Sequence, residues 1–187
     1  ALGGAGGDNY RGWTPRAITK GKVVNEFYKL IGLNASAVGN HEFDWGPSYF
    51  AEWTADGGFP FLAANIYDKA TGLPVTWAKP YQVVNIGGHT VAFIGLTTQE
   101  TLTKTKQEYI ATLDFKSTVE AATIWVAELR NTVKPEVIIA LTHIPSAPGK
   151  DAGTVTGMAE LNELEMLCRV DGIDAVITGH SHNTVAG

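Results

Sequence analysis

Two consecutive segments in the second half of the chain leave little choice of fold class. From Ser117 to about Val133, the residues Val119, Ala122, Val126 and Leu129 are spaced for one apolar helical face, and Lys134-Pro135 ends the run. Glu136–Thr142 follows as a continuous apolar strand, the pattern expected when both faces are buried. The pair recurs as a helix from about Gly157 to Cys168 and a strand over Asp174–Thr178. Repeated strand–helix–strand units predict an α/β fold with largely parallel pairing.

The first half reads in the same way. A helix is expected from about Pro15 to Ile31, with Thr14 as N-cap and Gly32 as the stop. Ala35–Val38 reads as a short buried strand, Pro47 to about Ala55 as a helix closed by Gly57-Gly58, and Phe61–Ile66 as a strand. Tyr81–Ile86 and Thr90–Thr97 flank Gly87-Gly88-His89, a hairpin signal. The opening Ala1-Leu2-Gly3-Gly4-Ala5-Gly6-Gly7 carries no strand pattern ahead of Asp8.

Composition narrows the functional classes. A length of 187 residues suits one domain, and 18% charged residues against a usual ~25% argues against disorder. Fourteen Lys and Arg against nineteen Asp and Glu give a net charge of −5 without a basic cluster, a poor match to nucleic-acid binding. The single Cys168 rules out an internal disulfide. The longest apolar stretches, such as Val91–Leu96, fall far short of the ~20 residues of a membrane span.

The histidines carry the chemistry. His41, His143, His180 and His182 each lie just after a short apolar strand, and only His89 does not. Loops beyond the carboxyl ends of strands are where open α/β sheets bind ligands, and imidazoles gathered there point to Zn, Fe, Mn or a related metal. Asn40, within Gly39-Asn40-His41-Glu42-Phe43-Asp44, offers a neutral amide oxygen, and Asp44 can orient His41 by accepting a ring N–H. Asp8 offers two carboxylate oxygens able to bridge two cations. In Gly179-His180-Ser181-His182 the rings of an extended His-x-His pair point to opposite sides, suiting two different metals.

Together, Gly7-Asp8 with Gly12, Gly39-Asn40-His41-Glu42, Thr142-His143 and Gly179-His180-Ser181-His182 resemble the calcineurin-like metallophosphoesterases. Phe43-Asp44 looks like the 5'-nucleotidase branch of that family. The resemblance implies a four-layer α-β-β-α sandwich with mixed sheets and a pair of divalent metal ions hydrolysing a phosphate ester, in this branch a nucleotide. It also implies a periplasmic or extracellular setting. Asp8 would bridge both ions, Asn40, His143 and His180 would complete one site, and His182 would serve the other. His41 would stabilise the transferring phosphoryl group or protonate the leaving oxygen, oriented by Asp44.

The family also opens with an Asp-x-His strand about twenty-five to thirty residues before the Gly-Asp, whereas seven residues precede Asp8. Residues 1–187 are therefore expected to form one catalytic domain lacking that first strand and the C-terminal nucleotide-binding domain of the parent protein. A non-catalytic metal-binding or partner-binding remnant is the alternative. A serine-hydrolase reading of Gly179-His180-Ser181-His182-Asn183 fails, because its triad partners must lie downstream and only five residues follow His182. Trp13 and Trp45 are candidates for pocket lining, Trp125 for packing, and His89 for a solvated turn.

Overall fold

The computed structural model describes residues 2–11, 14–145 and 163–182. In chain order the elements are β1 (Gly4–Ala5), α1 (Thr14–Thr19), α2 (Lys22–Ile31), β2 (Ala35–Ala37), α3 (Tyr49–Gly57), β3 (Phe61–Leu62) and β4 (Ile66–Asp68). They continue with β5 (Tyr81–Ile86), β6 (His89–Thr97), α4 (Thr101–Lys104), α5 (Gln107–Ile110) and β7 (Leu113–Phe115). The last are α6 (Thr118–Thr132), β8 (Val137–His143), α7 (Glu163–Leu167) and β9 (Ala175–Thr178). One sheet is parallel, in the order β1-β2-β3, and a second is mixed, in the order β5-β6-β8-β9; β4 and β7 form a small antiparallel pair.

Three apolar seams define the layers. Val24 of α2 and Phe50 and Trp53 of α3 pack with Phe61 on the outer face of the parallel sheet. Ala35, Ala37 and Leu62 meet Phe93 and Leu141 where the two sheets face each other. Ala122, Val126 and Leu129 of α6 cover Ala92, Ile94, Ile138 and Ala140 on the far face of the mixed sheet. This is the expected four-layer α-β-β-α sandwich. Leu141 and Phe93 are almost fully buried, and each such side chain contributes about 1.5–3 kcal/mol. The unbroken apolar run over β8 is thereby explained, since alternate side chains serve the helix seam and the sheet seam.

Four expectations are corrected. The helix expected over Pro15–Ile31 is two helices, broken where Lys20 (φ 49°) and Gly21 (φ 90°) turn left-handed. A side chain at Gly21 would collide with the Tyr10 ring, and the Lys20 carbonyl accepts the Trp53 indole N–H at 2.7 Å. Thr14 is accordingly the first residue of α1. The strand expected over Phe61–Ile66 stops at Leu62, because Asn65 leaves the sheet to bond the Thr97 and Lys116 carbonyls and the Thr97 N–H. The glycine-rich opening does hold a strand: Gly4 and Ala5 pair in parallel with Ala35 and Ser36. Two residues are too few to display an alternating pattern. Of the helix expected over Gly157–Cys168, the turn Glu163–Leu167 lies among the described residues.

Candidate metal centre

The two sheets bring their carboxyl ends together, and the joint is covalently distant but tightly bonded. The Thr97 hydroxyl at the end of β6 donates to the Val38 carbonyl just past β2 at 2.7 Å. Asp8 follows β1, Asn40 follows β2, His143 closes β8 and His180 follows β9, so the candidate ligands arrive from both sheets. Asp8, His143 and His180 present donor atoms that all lie within 4.8 Å of one another.

His143 is the hub. Its Nδ1–H donates to the Gly6 carbonyl at 2.8 Å, which leaves Nε2 to face the cluster. Around Nε2 stand Asp8 Oδ2 at 3.1 Å, Asn40 Oδ1 at 3.2 Å and His180 Nδ1 at 3.1 Å. The outer nitrogen of His180 faces Glu100 Oε2 at 3.0 Å, so Nε2–H donates there and Nδ1 carries a lone pair. Lone pairs thus converge where only a proton or a cation can satisfy them. Ligands held about 2.1 Å from one ion stand roughly 3.0–3.4 Å apart, which matches these separations. A carboxylate, an amide oxygen and two imidazoles fit a divalent transition metal.

The Asn40 loop is braced from below. Asn40–Phe43 is a single 3₁₀ turn whose Phe43 is buried against Phe50, Trp77 and Phe115. Glu42, fully buried, accepts the backbone N–H groups of Asp8 at 2.8 Å, Asn9 at 2.6 Å and Gly39 at 2.6 Å. One carboxylate therefore ties the Asp8 loop to the Asn40 loop. Gly39 has no alternative: a Cβ there would strike Asp8 and Glu42. Side chains three apart eclipse in a 3₁₀ turn, and Asp44 Oδ2 accepts the His41 Nδ1–H at 2.9 Å. The other ring nitrogen, Nε2, accepts from the Arg11 guanidinium at 2.5 Å, and the His41 backbone N–H donates to Asp8 Oδ1 at 2.8 Å.

The electrostatics follow from burial and pairing. Burial pushes the Asp8 carboxyl up, but the hydrogen bond and charge of His143 outweigh it and hold Asp8 below the usual range. Burial pushes His143 down, yet its bond to Asp8 wins and raises it. Burial, then the charge of Asp8, pushes Glu42 up to about 7. His180 is lowered, chiefly by burial. Backbone strain collects at the same place. Five non-glycine residues among those described have left-handed φ, and Asp8 (56°), His180 (86°) and His182 (54°) are three of them.

A profile of the calcineurin-like phosphoesterase family matches residues 6–184. The chain belongs to that family. Among proteins similar to this phosphoesterase-family chain is a 5'-nucleotidase of Vibrio cholerae, 37% identical over 155 residues that make up 83% of this chain and 27% of that protein. Protein UshA of Salmonella pullorum is 35% identical over 156 residues, 83% of this chain and 28% of the relative. The crystal structure of a 5'-nucleotidase precursor from Thermus thermophilus covers all of this chain and 33% of its own, with a TM-score of 0.78 and 28% identity. The phosphoesterase chain thus spans little more than a quarter of the length of these curated relatives.

Within this phosphoesterase framework the structure brings together Asp8, Asn40, His41, Asp44, His143 and His180. His182 is exposed and stands outside the three-residue donor group. Trp13 lies outside the described residues. Trp45 packs on Trp53 and Tyr49 under the Lys20 ammonium, and Trp125 donates to the Ala64 carbonyl, so both serve packing. Glu42, Glu100 and Arg11 were not singled out by sequence. Glu100 had a usable signal: it follows the strand ending at Thr97, the topological position that marked the histidines.

Proposed function

We propose that the chain is the catalytic part of a metal-dependent phosphoric ester hydrolase whose substrate is a nucleotide, working with a pair of divalent ions (Zn, Mn, Fe or similar) in a periplasmic or extracellular setting. The observation that carries this reading is the convergence of Asp8, Asn40, His143 and His180 around one point, with the outer nitrogens of both imidazoles committed to Gly6 and Glu100. Those four residues would hold one ion, and Asp8 with His182 would contribute to the second. Divalent ions so held polarise phosphoryl oxygens and make water nucleophilic near neutral pH.

The remaining chemistry belongs to the chain itself. Asp44 keeps the proton of His41 on Nδ1, so Nε2 is the atom that meets the substrate. There His41, once Nε2 has also taken up a proton, stabilises negative charge on the phosphoryl group or delivers that proton to the leaving oxygen, beside the Arg11 guanidinium. Glu42 keeps Asp8 and Asn40 in register throughout.

The test is hydrolysis of a generic phosphomonoester and of a 5'-nucleotide with added Mn²⁺ or Zn²⁺. A folded, metal-loaded chain without turnover under any metal would defeat the enzyme reading. The exposure of His182 outside the donor group favours the second reading, a domain that binds one ion without turnover.

A further inference from the structure

Glu100 lies in the turn between β6 and α4 and accepts a bond from His180. Its carboxylate is largely buried, with 10% of the side chain exposed, and so is the His180 side chain at 13%. The turn that carries it is anchored on three sides. The Glu100 N–H donates to the Thr98 hydroxyl at 3.3 Å, and that hydroxyl donates to Glu163 Oε2 at 3.2 Å. Glu163 is held in turn by the Thr118 hydroxyl at 2.6 Å, and Gln99 donates to the Phe115 carbonyl at 2.8 Å. His180, by contrast, sits on a left-handed backbone (φ 86°) past the end of β9.

We propose that Glu100 is the positioning residue of the metal centre: by accepting the Nε2–H of His180 at 3.0 Å it selects the tautomer and ring orientation that aim Nδ1 at Asp8 and His143. The orientation comes from the turn after β6, a segment that contributes none of the proposed ligands. A carboxylate behind a metal-binding imidazole also strengthens the nitrogen on the far side as a donor. The proposal rests on His180 being a ligand and is independent of turnover.

The test uses Zn²⁺ alone as the probe. In Glu100→Leu, zinc affinity measured by chelator competition is expected to fall roughly 10–100-fold, with Glu100→Gln recovering part of the loss because its amide oxygen still accepts the N–H. ¹⁵N imidazole spectra of the unsubstituted, metal-free chain should show His180 protonated at Nε2 and bare at Nδ1; this needs no variant and holds the proposal to account even if Glu100→Leu fails to fold. Unchanged zinc affinity in Glu100→Leu, a Gln variant no better than Leu, or the opposite tautomer overturns it. A chain that meets these expectations yet hydrolyses no phosphoester leaves Glu100 as proposed and defeats the enzyme reading instead.

Discussion

A histidine–carboxylate pair stands at each end of the paired strands β6 and β8, and the two pairs are chemically alike but physically opposite. At the carboxyl end, His143 Nε2 and Asp8 Oδ2 are 3.1 Å apart with side-chain exposures of 1% and 14%. At the amino end, His89 Nδ1 and Glu136 Oε2 are 2.8 Å apart with exposures of 71% and 54%. The exposed pair is local: water screens its charges, and Glu136 also accepts the Thr90 N–H. The buried pair is part of a converging set, with Asn40 and His180 closing around the same nitrogen. Distance between two groups therefore says little about function. Desolvation and the number of further donors aimed at the same point separate a binding site from a surface contact.

The contrast can be broken most severely at the proposed ligands. Asp8→Asn or His180→Ala is expected to abolish or sharply reduce bound metal by elemental analysis, whereas His89→Gln leaves it untouched; equal metal content in all three would erase the difference between the two ends. Next in size is the brace. Glu42→Ala strands three backbone N–H groups, one buried and two partly buried, and should destabilise the fold by about 3–5 kcal/mol in urea unfolding, against little effect from Glu136→Ala at the exposed end. His41→Ala should lower turnover roughly 10²-fold with metal content intact, and loss of metal in that variant would contradict its role.

The smallest effect concerns pH at the exposed pair. The bond to Glu136, then its charge, raises His89, and the bond to His89 lowers Glu136. Their contribution is therefore complete above the ordinary Glu value of 4.5 and below the ordinary His value of 6.5. It fades as pH rises through the raised His89 value or falls through the lowered Glu136 value. Thermal unfolding of His89→Gln across that range should lose this small, salt-sensitive component alone, and a large change would overturn the assignment of His89 to a solvated surface contact.

Much of this was legible in the residues. The helical period of Val119, Ala122, Val126 and Leu129 and the apolar run of β8 are local signals that burial enforces, and both elements form within a residue or two of their expected ends. The histidines stood out because ligand sites of open α/β sheets lie past the carboxyl ends of strands, and strands are readable. The breaks were not. The Lys20-Gly21 kink depends on the Tyr10 ring and the Trp53 indole, and the early end of β3 depends on Thr97 and Lys116. None of those partners lies within the segment it disrupts.

By itself, the sequence determined the α/β class, the layered alternation and the candidate ligand types at the strand ends, because periodicity and residue chemistry are local properties. Only the tertiary structure decided which of those residues meet. The bond from Thr97 to Val38 joins the two sheets' carboxyl ends across 59 positions of sequence. Glu42 reaches 34 positions back to Asp8, and Glu100 meets His180 across 80. The contacts of Glu42 and Glu100 need distant strands paired within one sheet, and the Thr97 bond needs the two sheets packed face to face. Together, strand pairing and sheet packing bring scattered imidazoles and carboxylates into one place.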